Sequence, residues 1–189
     1  MKRQISDVKG VEAVRDYDAK YALLYINEKY EELQKLDKGM GNLPWTKNDL
    51  VNARATVSML DIKPDNVFEF VDSKFEELKK AEKDLQNIIR GHAKKKESVF
   101  IYAYIAGHGV ADVRQYFMLN SSDPTKALYP IEEQLRLRSI AGDGKCYVFT
   151  VYDICRIKAD KIKQLAEEVK KQRKLDKDAE ADEKKKLQA

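Results

Sequence analysis

The stretch Phe100-Ile101-Tyr102-Ala103-Tyr104-Ile105-Ala106-Gly107-His108-Gly109 decides the fold. It is too short to span a membrane and too uniformly apolar for a half-exposed strand, so it reads as a central β-strand covered on both faces. A second run, Tyr147-Val148-Phe149-Thr150-Val151-Tyr152-Asp153-Ile154-Cys155-Arg156, has the same character. Each ends on a reactive side chain, His108 in one and Cys155 in the other. In an open parallel sheet, functional groups gather just beyond the carboxyl ends of the strands. If the two strands are neighbours, about 5 Å apart, imidazole and thiol come within reach of each other as a dyad.

Upstream, Lys20-Tyr21-Ala22-Leu23-Leu24-Tyr25-Ile26 reads as the first buried strand, ending in Asn27-Glu28-Lys29-Tyr30. Gly39-Met40-Gly41-Asn42-Leu43-Pro44 is a loop. Thr46 or Asn48 then caps a helix with a rough apolar stripe of Leu50, Val51, Ala55, Val57, Met59 and Leu60, which Pro64 stops. Val67-Phe68-Glu69-Phe70-Val71 is a short strand. Asp72-Ser73 caps the next helix, where Phe75, Leu78, Ala81, Leu85, Ile88 and Ile89 recur at helical spacing. Strand and helix alternating in this way predict an α/β fold with a mainly parallel sheet flanked by helices.

Downstream of the histidine run, Gln115 to Leu119 reads as a short exposed strand, 120–124 as a loop, 131–140 as a helix and 141–144 as the turn into the cysteine run. No aromatic residue follows Tyr152, and no glycine or proline follows Gly144, so 157–189 is expected to be one charged helix with Ile162, Leu165, Ala166 and Val169 as its apolar stripe. The resulting division is a loose polar lead-in (1–18), one domain (19–158) and a charged helical tail (159–189).

An apolar content of 43% in 189 residues suffices for one domain core. The net charge of +4 is a small difference between 36 basic and 32 acidic residues, which argues against a nucleic-acid partner. The opening Met1-Lys2-Arg3-Gln4-Ile5-Ser6-Asp7 lacks a signal-peptide core, and no run approaches the roughly 20 apolar residues of a membrane span. A cytoplasmic, membrane-free protein is expected. With Cys146 and Cys155 alone there is no disulfide framework, and a reducing compartment leaves a thiol available.

A thiolate attacks carbonyl carbon, and a neighbouring imidazole takes its proton and later hands one to the leaving amine. Cys155 and His108 suit those roles, although from the residues alone an inert strand-end thiol and a loop histidine fit as well. Gly107 and Gly109 suit either a tight turn or a close approach of backbone to substrate. Asp153 lies two residues before Cys155, so strand alternation sets both on one side. Cys146 reads as core, His92 as a solvated helix end, and Trp45 and Tyr30 as packing residues near the mouth of the site. His92, His108, Cys146 and Cys155 contain no close ligand pair, so no metal is expected. No cofactor is expected either, since no strand runs into a phosphate-cradling glycine motif.

The segment Tyr104-Ile105-Ala106-Gly107-His108-Gly109-Val110, then Gln115-Tyr116-Phe117-Met118-Leu119 and Asp153-Ile154-Cys155-Arg156, resembles the caspase and metacaspase superfamily of cysteine peptidases. His108 precedes Cys155 by roughly the 50 residues of a caspase-type cysteine box. The resemblance implies a three-layer caspase-like fold, its large-subunit half, with Cys155 as nucleophile and His108 as base and acid. The amides of Gly109 and Cys155 become the oxyanion hole. Asp153, with Asp49 of the Asn48-Asp49 pair as a second candidate, becomes the acidic pocket for an Arg or Lys side chain. On their own, Asp153 also fits an acid hydrogen-bonded at a strand end and Asp49 a helix cap. Arg156 is structural on this reading.

The likeness covers residues 20–158. Family members continue with two further strands, where this chain reads as the charged helix, so the sheet is expected to end at the cysteine strand with an open edge. That edge can take the tail, a second copy or a related chain. The expected function is cysteine endopeptidase cleavage of protein or peptide substrates after Arg or Lys. The alternative is an inactive caspase-like scaffold or regulator that binds a related peptidase.

Overall fold

The computed structural model describes residues 16–36, 38–111, 115–121, 123, 126–130, 145–158 and 167. The helix predicted over 131–140, the turn over 141–144, the bulk of the tail and residues 1–15 of the lead-in lie outside them. The strands are β1 (Ala19–Ile26), β2 (Val67–Val71), β3 (Val99–Ala111), β4 (Gln115–Met118), β5 (Leu128–Pro130) and β6 (Cys146–Lys158). The helices are α1 (Glu31–Leu36), α2 (Thr46–Met59) and α3 (Phe75–Lys94). The fold is α/β. Strands β2, β1, β3 and β6 lie side by side and parallel, because β3 pairs with β1 along one side and with β6 along the other. Past the end of β1, β4 pairs antiparallel with Gly109 to Ala111 of β3, and β5 pairs antiparallel with β4.

Alternation along β1 gives the sheet two apolar faces. Ala22 and Leu24 join Phe100 and Tyr102 of β3 beneath Ala53 and Val57 of α2. Tyr21, Leu23 and Tyr25 join Ile101, Ala103 and Ile105 beneath Leu78, Leu85 and Ile89 of α3. Among the described residues, one helix covers each face. The stripe read on α3 is the one it buries, at Leu78, Ala81, Leu85 and Ile89.

Several local expectations are corrected. In α2 the buried residues are Thr46, Ala53 and Val57, while Val51 is 62% and Met59 47% exposed. The helix lies against Tyr102 and Leu24 through Ala53 and Val57, with Leu50 and Leu60 at the edge of the contact. Neither Thr46 nor Asn48 caps it; Trp45 is the N-cap residue, and the Thr46 hydroxyl donates to the Leu43 carbonyl at 2.8 Å. Asp72 does not cap α3. It adopts φ 50°, and its carboxylate accepts the amides of Glu28 and Lys29, both at 2.8 Å, while the Lys74 amide donates to Glu77 at the helix start. β4 is not exposed, for Phe117 and Met118 are core residues. The end of the lead-in is docked. Tyr17 packs edge-on to Tyr147, and the Ser98 amide and hydroxyl both donate to Asp18.

The β6 run is not a doubly covered strand. Among the described residues it pairs with β3 alone, and Tyr147 and Phe149 are 47% and 58% exposed. α2 packs chiefly on β1 and β3, and Val151 of β6 reaches the edge of that cluster. No helix among the described residues is long and apolar enough to cross a membrane.

If α2 meets the sheet through Ala53, then Ala53→Leu overpacks that contact and costs about 1–3 kcal/mol of unfolding free energy. Val51→Ala on the exposed face changes it by no more than about 0.5 kcal/mol. Urea midpoints of the two variants check the assignment, and equal effects would reverse it.

Candidate active site

β3 does not stop at the histidine. It runs on to Ala111, so His108 lies within the strand but past the end of β1, whose last pair is Ile26 with Ala106. The turn considered around Gly107 and Gly109 is therefore strand. Gly107 has φ 149°, a conformation for glycine alone, and a Cβ there would stand 2.5 Å from the Tyr30 hydroxyl and 2.9 Å from the Phe117 ring. Gly109 lies between Phe117 of β4 and Arg156 of β6 in the ladder, so its amide lies in the plane of the sheet, between two strands. A Cβ at Gly109 would stand 2.8 Å from the Ile154 side chain.

His108 is buried. Its backbone amide donates to the Tyr30 hydroxyl at 2.8 Å, and the Tyr30 ring lies 4.5 Å from the imidazole, centre to centre. Nε2 bonds the Gly41 carbonyl at 2.9 Å. A carbonyl only accepts, so in the neutral ring Nε2 carries the hydrogen and Nδ1 holds the basic lone pair. Burial lowers the imidazole's pKa, partly opposed by the Gly41 carbonyl, and so favours the neutral base.

These contacts depend on loops held by side chains. The Asn42 side-chain Oδ1 accepts the Tyr30 amide at 2.7 Å, and the Asn27 side-chain amide donates to the Met118 carbonyl at 2.8 Å. The Leu43 amide donates to the Glu28 carbonyl at 2.8 Å. The loop after β1 and the loop carrying Gly41 thus grip each other below the imidazole.

In the ladder the backbone of His108 stands opposite that of Cys155, within an unbroken parallel register from Val99–Cys146 to Ala111–Lys158. Asp153 stands opposite Ala106. Asp153 and Asp49, from β6 and α2, meet in one cleft of about 100 Å³ that Leu43, Trp45, Thr46 and Gly107 also line. Tyr104 donates its hydroxyl to Asp153 at 3.2 Å. Burial raises the Asp49 pKa, and the nearby Asp153 charge raises it further. Burial pushes the Tyr104 hydroxyl up as well, with Asp153 and then Asp49 adding to it. The structure thus brings Asp49, Asp153 and Gly107 together one residue from His108.

Other sequence expectations fare unevenly. Cys146 is buried, as core. Tyr30 is wholly buried, yet it does more than pack, since it holds the His108 amide. Trp45 is 60% exposed and is no packing residue. His92 is no solvated helix end: its Nε2 bonds the Tyr21 hydroxyl and its Nδ1 bonds Glu97, both at 2.7 Å. Gly41 and Asn42 were seen only as loop formers, because nothing local in a glycine-rich loop marks which carbonyl meets a histidine 67 residues away. Among the described residues no group of three or more His, Cys, Asp or Glu side chains could hold a metal ion. Compared with known proteins, the chain matches no family model and no curated sequence.

The two perturbed groups act in opposite directions on stability. His108 binds a proton less readily folded than unfolded. Its contribution is whole above the ordinary imidazole value of about 6.5 and is lost as pH falls towards and through the lower folded value. Asp49 binds its proton more readily folded, so its contribution is whole below the ordinary carboxylate value and is lost as pH rises through the raised one. Urea unfolding between pH 7 and pH 5 should therefore show a smaller acid loss in His108→Gln than in wild type, while Asp49→Asn gains stability at pH 7. An unchanged acid limb in His108→Gln would contradict a buried neutral imidazole.

Proposed function

We propose that this chain is a cysteine endopeptidase of caspase-like fold that hydrolyses peptide bonds after Arg or Lys. The observation that carries the reading is the register of β3 and β6, in which His108 and Cys155 stand opposite each other on adjacent parallel strands. Such strands lie about 5 Å apart. The bond from Nε2 to the Gly41 carbonyl supports it, because it leaves Nδ1 as the basic nitrogen. The parallel order β2, β1, β3, β6 with a helix on each face supports the large-subunit half of that fold.

In the reaction Nδ1 of His108 takes the Cys155 proton, and the thiolate attacks the carbonyl carbon of the cleaved bond. The resemblance gives the oxyanion to the amides of Gly109 and Cys155, and for Gly109, paired on both sides, this requires its N–H to leave the ladder. Protonated His108 gives its proton to the leaving amine, which departs and leaves a thioester on Cys155. Water, deprotonated by the same imidazole, then hydrolyses the thioester and restores the thiol. Asp153 and Asp49 hold the basic side chain on the acyl side of the bond, where two carboxylates in one cleft favour a cation. A reactive thiol suits a reducing compartment, the cytoplasm.

A second reading, an inactive scaffold that binds a related peptidase, is favoured by one observation. β6 offers an edge that is unpaired among the described residues, flanked by exposed Tyr147 and Phe149.

Fluorogenic peptides with Arg, Lys or Asp at the cleavage position separate the readings. The peptidase cleaves after Arg and Lys, and Cys155→Ala abolishes it. Asp153→Asn lowers kcat/KM on the Arg peptide about 30-fold, the equivalent of losing ~2 kcal/mol of charge pairing. Cleavage after Asp contradicts the acidic pocket. A folded chain that cleaves none of these peptides favours the scaffold.

A further inference from the structure

Trp45 stands on the turn between the loop that holds His108 and helix α2, and its exposure is built in. Its neighbours Leu43 and Thr46 are buried at 6% and 2%. The Thr46 amide and hydroxyl both bond the Leu43 carbonyl, at 3.1 and 2.8 Å, and the Leu43 amide bonds the Glu28 carbonyl. The turn is thus pinned on both sides of an indole left 60% in water. Trp45 lines the same cleft as Asp49, one helical turn further along α2, and Asp153. A tryptophan and two carboxylates in one cleft suit one chemical class, a cation that also has a flat or greasy surface.

We infer that Trp45 is a specificity-determining residue, and that its indole stacks on the guanidinium of a substrate arginine and so selects arginine over lysine. This rests on the peptidase reading for the source of the guanidinium. A guanidinium is planar, weakly hydrated and forked. It lies flat on the indole while its N–H groups reach the carboxylates. An ammonium is a compact, strongly hydrated charge that pairs with the carboxylates and gains less from the ring. The Tyr104 hydroxyl occupies one oxygen of Asp153, which orients that carboxylate for the incoming fork.

Trp45 is the chain's single tryptophan, so its fluorescence reports on this cleft directly when excited at the red edge, where the 10 tyrosines contribute little. The Cys155→Ala chain, which cannot turn over, is titrated with N-acetyl-arginine methylamide, its lysine analogue and its norleucine analogue. The arginine amide should give a saturable change, the lysine amide a binding about 2- to 5-fold weaker, as one exposed cation–π contact dictates, and the norleucine amide none. Asp153→Asn should remove the response. The inference is overturned by equal responses to arginine and norleucine, or by lysine binding as well as arginine.

Cleavage by the Cys155-intact chain gives an independent arm. Trp45→Leu should lower the Arg-over-Lys ratio of kcat/KM about 2- to 5-fold, and Trp45→Phe should lower it less. An unchanged ratio in an active Trp45→Leu chain sinks the inference and leaves the peptidase reading standing. Arginine-selective fluorescence in a chain that cleaves nothing supports the cleft and sinks the peptidase reading.

Discussion

The parallel ladder between β3 and β6 runs for 13 residues without a break, and everything said of the site depends on its register. Side chains alternate across a strand, so a slip of one residue would send His108 to one face and the residue opposite it to the other. The register is held by what each face must bury. Ile101, Ala103 and Ile105 fill the core under α3, while Phe100 and Tyr102 fill the core under α2. On β6 a one-residue slip would take Val148 and Ile154 away from the core under α3, which they pack against. Core packing thus sets the geometry of a polar site.

Past the end of β1 the sheet no longer supplies partners for the loops, and side chains take over. Asn27, Asn42, Asp72 and Asn120 each bond backbone of a distant segment, so the loop after β1 is tied to β4, to the Gly41 loop and to the turn after β2. Buried backbone groups must find partners, and short Asn and Asp side chains supply them where no strand does. The result is a rigid seat for Tyr30 and Gly41, which between them hold the amide and the ring of His108. The same loop carries Trp45 to the rim of the acidic cleft. A shift in this loop would therefore move His108 and the cleft wall together.

The sheet was readable because β1 and β3 are apolar on both faces, a pattern that few alternatives share. α3 was readable because its stripe consists of large residues. α2 was readable only in part. Val57, Leu50 and Leu60 of its expected stripe do join the contact, but Ala53 was missed, and Val51 and Met59, picked as large apolar side chains, face water. Asp72 looked like a helix cap by residue type, but φ 50° turns its carboxylate to the loop after β1 instead. His92 looked solvated because its neighbours in sequence are charged, yet its partner Tyr21 lies 71 residues away. The pattern holds for the site too. His108, Cys155, Asp153 and Asp49 stood out as residue types in short motifs, whereas Tyr30, Gly41 and Trp45 acquire their roles only through contacts that the loops create.

The central claim is that His108 and Cys155 act on each other. The direct measurement is the rate of alkylation of Cys155 by iodoacetamide as a function of pH, located by mass spectrometry against buried Cys146, in wild type and in His108→Gln. A working dyad gives a thiol that titrates well below the ordinary value of about 8.5 in wild type and returns towards it in the variant. A Cys155 that titrates near 8.5 in both chains would contradict the dyad.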